Sequence, residues 1–254
     1  MGNSHLSVLI TRIKKQKNRL VYINELKEQF EKTLGDAYTE KKWYKLIYHL
    51  KNKWYLVSLK KDIFCFTSPD FTTTESELLL NRYWLILEHH LEHYWKKHYI
   101  GWIKALELHY WNNDIPDQLL VITDTKQWVE TIMSGKDMHI KVYSQQKKSL
   151  FASFVPFTKK VKIGKIPFII ANKELAILES LFSYDEMTDR YSREYIKKIL
   201  KKYELDIDTL ESILKIWKHH TSINRLLDIV SISRPQQLDQ IKALIKKYSF
   251  RIKN

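Results

Sequence analysis

The chain has 254 residues, 44% of them apolar, with only five glycines and five prolines, so it can bury a substantial core but has little room for glycine-rich phosphate loops or long flexible linkers. Lys and Arg number 43 against 29 Asp and Glu, a formal net charge of +14 and a pI near 9.5. That balance points to a polyanionic partner, nucleic acid before an anionic membrane surface, although a lysine-rich, AT-rich genome would also raise the count. The single cysteine, Cys65, excludes an internal disulfide and fits a reducing cytoplasm.

The opening residues MGNSHLSVLITRIKKQK lack the basic-then-apolar order of a signal peptide, and Leu6 stands where a myristoylation signal needs Ser or Thr. Residues 5–15 read as a short amphipathic helix with Leu6, Leu9, Ile10 and Ile13 on one side. A brief strand-like LVYI follows, and Asn24 is the expected N-cap of a helix ELKEQFEKTL.

The next stretch, TEKKWYKLIYHLKNKWYL, predicts a strongly amphipathic helix. Trp43, Ile47, Leu50 and Trp54 fall on one stripe with Leu46 beside it. Lys41, Lys42, Lys45, Tyr48, His49, Asn52 and Lys53 lie opposite. After it, WYLVSLKKDIFCFT reads as two short strands around a Lys60-Lys61-Asp62 turn. Helix, strand, helix, helix and hairpin is the order of a winged helix-turn-helix, which residues 1–68 would form. Residues 1–66 hold 14 Lys and Arg against six Asp and Glu, so a quarter of the chain carries over half of the charge excess.

SPDFTTTESELLLNRY forms the boundary, with Thr74 and Glu77 as a capping box that opens a long, nearly all-apolar helix ending near Lys97. Asn81, Arg82 and Glu88 interrupt it before a membrane-spanning length is reached. Residues 74–254 then alternate in texture: YIGWIKALELHYW as a short helix, and DQLLVITD, MHIKVYS, LFASFVPF and KVKIGKIPFIIA as strands, the last broken by a turn at Gly164. NKELAILESLFSY is a helix capped by Asn172, and SREYIKKILKKY, DTLESILKIWKHH, SINRLLDIV and RPQQLDQIKALIKKY are further helices. The fold class is therefore α+β: a winged helix, a small sheet domain and a helical C-terminal part.

Three clusters carry residue types that chemistry uses. His89 and His93 stand one helical turn apart, but the neighbouring Glu92 is placed wrongly for a zincin and no cysteine joins them, so polar positions on a packed helix are the better reading. Asp206 and Asp208 resemble a metal-holding pair of nucleotidyltransferases, yet no Gly-Ser turn precedes them, and Asp208 with Glu211 reads as a capping box. Cys65, between Phe64 and Phe66, reads as a small buried hydrophobe. No serine-histidine-aspartate pattern, P-loop or Rossmann glycine pattern is present, so neither an enzyme nor a cofactor is expected. The binding candidates are Lys41, Lys42, Lys45, Tyr48, His49 and Asn52 on the basic helix, with Lys60 and Lys61 at the hairpin tip. A helix of this kind fits the major groove of double-stranded DNA, although a charge run can also be a merely solvated face.

Beyond this patterning, Tyr99, Ile100, Gly101, Ala105, Leu106 and Thr123, then Glu174, Ala176, Leu178, Glu179 and Leu181, then Arg225 and Leu226, match a pattern in order. On these residues the chain resembles the AbiEi-like antitoxins of type IV toxin–antitoxin (abortive infection) systems. It departs from them at Tyr110 or Trp111, where the family usually has Gly, and at Leu175, where a basic residue often follows the glutamate. The resemblance implies a winged helix that represses its own operon by binding operator repeats, and a second domain that antagonises a nucleotidyltransferase-like toxin. A stand-alone regulator whose second domain senses or oligomerises is the alternative.

Overall fold

The computed structural model describes residues 11, 15, 20–53, 55–60, 63–67, 83–88, 91–92, 97–116, 118–124, 130–133, 138–144, 148–182 and 186–248. It is a mixed α+β structure with two sheets, and the chain divides into two compact units. Unit 1 comprises residues 1–90 with 132–138, and unit 2 comprises 91–131 with 139–254. Among the described residues no helix is long and apolar enough to cross a membrane.

In unit 1, strand β1 (Leu20–Tyr22) runs straight into helix α1 (Ile23–Leu34). Asn24 is therefore inside the helix, and Tyr22 takes the N-cap position without a side-chain hydrogen bond. The strand's buried Leu20 and Val21 fix where extended backbone stops, and that outweighs Asn24's preference for a cap. Gly35 ends α1 at φ +52, a left-handed conformation for which glycine has no Cβ penalty. A 3-10 turn (Gly35–Ala37) then leads to α2 (Glu40–Asn52). Thr39 caps α2, its hydroxyl accepting from the Lys42 amide at 3.3 Å.

Strands β2 (Leu56–Lys60) and β3 (Ile63–Phe66) follow, and the three strands pair antiparallel in the order β1-β3-β2. The register shifts between Ser58 and Lys60, where the ladder is irregular. All four residues of the central strand β3 are buried, Cys65 among them. One core joins Val21, Leu26 and Phe30 to Trp43, Leu46 and Leu50 of α2 and to Leu56, Phe64 and Phe66 of the sheet. Residues 11 and 15 are helical. The rest of the predicted first helix, the Thr74–Glu77 capping box, Trp54 and Lys61 lie outside the described residues, as do His89, His90 and His93. Residues 83–88 are helical, with Tyr83, Ile86 and Leu87 buried.

A six-stranded mixed sheet falls almost wholly in unit 2, only residues 132, 133 and 138 of it being grouped with unit 1. Its strands are β4 (His98–Ile100), β5 (Gln118–Thr123), β6 (Glu130–Met133), β7 (Met138–Ser144), β8 (Thr158–Ile163) and β9 (Ile166–Ala171), in the order β6-β7-β5-β4-β9-β8. β4 runs parallel to β9 and antiparallel to β5, β5 is parallel to β7, and β8 is antiparallel to β9. At the β8 edge, Lys159, Lys160 and Lys162 are exposed. Helix α3 (Trp102–His109) follows β4, α4 (Lys148–Phe154) precedes β8, and α5 (Lys173–Ser180) follows β9. Helices α6 (Glu186–Lys202), α7 (Ile207–Ile216), α8 (His220–Ser233) and α9 (Leu238–Lys247) complete the unit, with α8 packed against α6 and α9.

Three sequence expectations change here. LFASFVPF is not a strand but α4 followed by a 3-10 turn (Val155–Phe157). Ser153 is the run's one polar residue, so its periodicity could not separate helix from strand, and burial of Phe151 and Phe154 at a spacing of three decides for helix. Tyr99 and Ile100 belong to β4 and not to the helix that follows. Asp206, not Asp208, caps α7: its carboxylate accepts from the Thr209 amide at 3.1 Å and from the Thr209 hydroxyl at 2.7 Å. Strand β6 was not anticipated. Asn172 caps α5 as expected, accepting from the Leu175 amide at 2.9 Å.

The parallel neighbours β4 and β9 each lead into a helix, α3 and α5, and those helices pack on each other. Glu179 of α5 is the fastener. It is 2% exposed, accepts a hydrogen bond from the Tyr99 hydroxyl at 2.7 Å, and accepts another from the Trp102 amide at 3.0 Å. The carboxyl thus satisfies an amide at the N-terminus of α3. Trp102 holds a φ of +54 to present that amide. Gly101 permits the approach, because a Cβ there would sit 2.6 Å from a Glu179 oxygen. Arg225 of α8 donates to the Leu181 carbonyl at the end of α5 at 2.8 Å. Glu174 accepts the Asp206 amide at 3.0 Å, and the Gln237 amide pairs reciprocally with the Leu205 backbone at 2.9 Å each way.

Burial pushes the Glu179 carboxyl up to about 7, against the opposing pull of the Tyr99 and Trp102 donors. The unfolded chain releases this proton in the ordinary carboxylate range, and the folded chain only near 7. The stabilisation is therefore complete below the unfolded value and is lost as pH rises through about 7. Chemical denaturation across that window should show wild type losing about 3 kcal/mol more than Glu179→Gln. A pH response shared by both proteins would remove this assignment. Gly101→Ala should cost about 1–3 kcal/mol by overpacking.

Candidate nucleic-acid interface

Helix α2 divides cleanly. Trp43, Leu46 and Leu50 are buried at spacings of three and four, with Ile47 half-buried beside them. Phe30 of α1 meets Trp43 at 5.8 Å and Tyr38 edge-on at 6.1 Å, which sets the rotation of α2 about its own axis. With the apolar stripe held inward, the remaining positions turn outward: Lys41, Tyr44, Lys45, Tyr48, His49, Lys51, Asn52 and Lys53 are exposed.

Of the sequence candidates, Lys41, Lys45, Tyr48, His49 and Asn52 share this outward face. Lys42 is only half-exposed, and its ammonium donates to the Ala37 carbonyl, bracing the turn that leads into α2. Thr39, Lys41, Lys42, Lys45 and His49 line one hollow of about 420 Å³ at the N-terminal end of the helix. Lys60 is the last residue of β2, just past the register shift.

Tyr44 was absent from the sequence candidates and belongs here. It is 69% exposed, one turn from Tyr48 at 63%. The signal was present as a Tyr44/Tyr48 pair at a spacing of four, beside rather than on the Trp43 stripe. Such exposure of two large rings on a charged helix departs from the usual burial of aromatic area.

The electrostatics of the face are one-sided. Glu40, the acidic residue of α2, is paired with Lys27 of α1 at 2.6 Å and accepts from the Tyr38 hydroxyl at 3.3 Å. The Lys27 hydrogen bond is the chief cause holding its carboxyl below the ordinary range. Lys51 turns toward the sheet, its ammonium 4.9 Å from the centre of the Phe64 ring. The outward face thus offers ammonium groups suited to phosphate oxygens, with hydroxyl, imidazole and amide groups suited to base edges. Among the described residues no group of three or more His, Cys, Asp or Glu is arranged to hold a metal ion.

No known family model matches the chain, and no curated protein matches it. Among solved structures it is similar to the crystal structure of the RV2827C protein from Mycobacterium tuberculosis. The TM-score is 0.60 at 13% sequence identity, over 96% of this chain and 81% of that one. At that identity the likeness is one of fold.

The division of α2 makes a stability contrast. Trp43→Ala should destabilise unit 1 by about 3–5 kcal/mol, whereas Tyr44→Ala and Tyr48→Ala should each stay within about 0.5 kcal/mol of wild type in urea titrations. Equal losses for the tyrosines would mean that the outward face is packed.

Proposed function

We propose that the chain is a DNA-binding antitoxin that represses its own operon through unit 1 and antagonises a nucleotidyltransferase-like toxin through unit 2. In this reading β1, α1, α2 and the β2–β3 hairpin are a winged helix-turn-helix. The recognition helix is α2, the hairpin is the wing, and double-stranded operator repeats are the target. The supporting observation is the split of α2 into a buried Trp43–Leu46–Leu50 stripe and an outward cationic, hydroxyl-bearing face. Lys41 and Lys45 meet phosphates, while Tyr44, Tyr48, His49 and Asn52 lie in the groove. Lys60 and Lys61 meet phosphate or the minor groove beside it. Neither catalysis nor a cofactor enters this reading, and the protein acts in the cytoplasm.

The antitoxin half rests on the resemblance to AbiEi-like proteins. Its motif glutamates, Glu174 and Glu179, are buried on α5, whose residues from Glu174 to Ser180 are all buried. A toxin-facing surface on unit 2 therefore lies on other elements. A second reading, a stand-alone regulator with a sensing domain, draws on a cleft of about 670 Å³ in unit 2, lined by Lys97, Tyr99, Asp124 and Phe151 among others.

A gel shift with the chain's own upstream region tests the DNA half. Wild type should bind, and Lys41→Glu/Lys45→Glu should abolish the shift while charge reversal at Lys201 leaves it. With about five phosphates neutralised, log affinity should fall against log salt with a slope near −4 to −5. Equal loss from both reversals would mean diffuse charge binding in place of a helix in a groove. Rescue of growth on co-expression with an adjacent nucleotidyltransferase would separate antitoxin from sensor.

A further inference from the structure

Unit 2 carries a second surface that the proposed function does not use. The turn after α3 presents Trp111 83% exposed, and it does so from a left-handed backbone, φ +64, that L side chains rarely adopt. The turn is nevertheless firmly held. The ammonium of Lys104, itself 3% exposed, reaches the Glu107 carboxylate at 2.8 Å and the carbonyls of Asn112 and Asp114 at 3.2 and 2.5 Å. The Glu107 carbonyl also accepts the amides of Tyr110 and Asn112, each at 3.0 Å. A buried charge network therefore fixes a loop whose largest side chain buries almost nothing. The backbone that carries the indole has thus lost conformational freedom although the side chain gains no core contact.

What faces Trp111 shows a consistent chemistry. A hollow of about 380 Å³ is lined by Trp111, Tyr110 and His109 on one side and by Tyr195, Lys198, Lys202 and Tyr203 on the other. Tyr110 and Tyr203 already lie together, ring centroids 4.6 Å apart, forming an aromatic wall. On α6, Tyr195, Lys198 and Lys202 recur at spacings of three and four, so rings and ammonium groups share one helix face. None of the residues lining the hollow is acidic. Ring faces beside lysines suit an unpaired base with its phosphate. A duplex, whose base faces are covered by stacking, could use the lysines but not the rings.

We infer that the Trp111–Tyr203 groove of unit 2 binds single-stranded nucleic acid, stacking a base on the exposed indole and holding the adjoining phosphates with Lys198 and Lys202. This is independent of the α2 face and of the operator reading. The test uses the full chain and a short fluorescein-labelled oligouridylate, read by fluorescence anisotropy. Trp111→Ala should weaken binding roughly five- to hundredfold, and Trp111→Phe should keep most of it. Lys198→Glu/Lys202→Glu should weaken it and flatten its salt dependence. Lys41→Glu/Lys45→Glu should leave it nearly unchanged, so that failure here and failure of operator binding are read separately. Because Trp111 is exposed, its variants should melt as wild type does. Unchanged affinity in Trp111→Ala overturns the inference. So does equal competition by a duplex, or a shift in oligomeric state on size exclusion with oligouridylate affinity intact, which would make the groove a contact between copies of the chain.

Discussion

The inward anchoring of α2 is the constraint on which the candidate binding surface depends. Three apolar side chains at helical spacing have one favourable place to go, between α1 and the three-stranded sheet. Phe30 packs against Trp43 and removes the remaining freedom of rotation. Once that stripe is fixed, the lysines and tyrosines of the same helix have no inward option. The charge of the face is thus a consequence of core packing, and the Lys27–Glu40 pair sharpens it by occupying the acidic residue at its start.

Unit 2 uses buried polar groups where unit 1 uses apolar ones. Glu179, Glu174 and Gln237 each hydrogen-bond across elements far apart in sequence, Lys104 ties α3 to the turn that follows it, and all four are buried. A buried carboxyl or ammonium without such partners would be costly, so each acts as a geometric requirement as well as an attraction. Glu179 is the sharpest case, since it needs Gly101 to be small, Tyr99 to carry a hydroxyl and Trp102 to accept an unusual backbone angle. Tyr99, Gly101 and Glu179 belong to the ordered sequence pattern noted above, and in the structure they have an architectural role.

Much of this was legible in the sequence wherever one face of an element differs from the other. The helix from Glu40 to Asn52, the hairpin after it, the Gly164 turn and the Asn172 cap all follow from local alternation or from a cap residue beside an apolar run. Where an element is nearly all apolar, as in LFASFVPF with its single serine, local pattern gives no period, and only the burial of Phe151 and Phe154 identifies a helix. The Tyr99–Glu179 contact joins residues 80 apart, so no spacing rule reaches it. Tyr44 adjoins the tryptophan that defines the core stripe, so spacing alone does not place it on the outward face. The left-handed backbone of Trp111 depends on how α3 ends, which no local residue pattern states.

The outermost strand of unit 2, β8, ends the sheet with backbone donors and acceptors on its free side, an arrangement that invites another chain to add itself. Lys159, Lys160 and Lys162 line that rim, and partial burial lowers the pKa of Lys159. Two molecules laid rim to rim would bring these ammonium groups into mutual repulsion before the strands could zip. The same lysines that swell the overall basicity thus oppose edge-to-edge strand pairing, a use of positive charge unrelated to any polyanion.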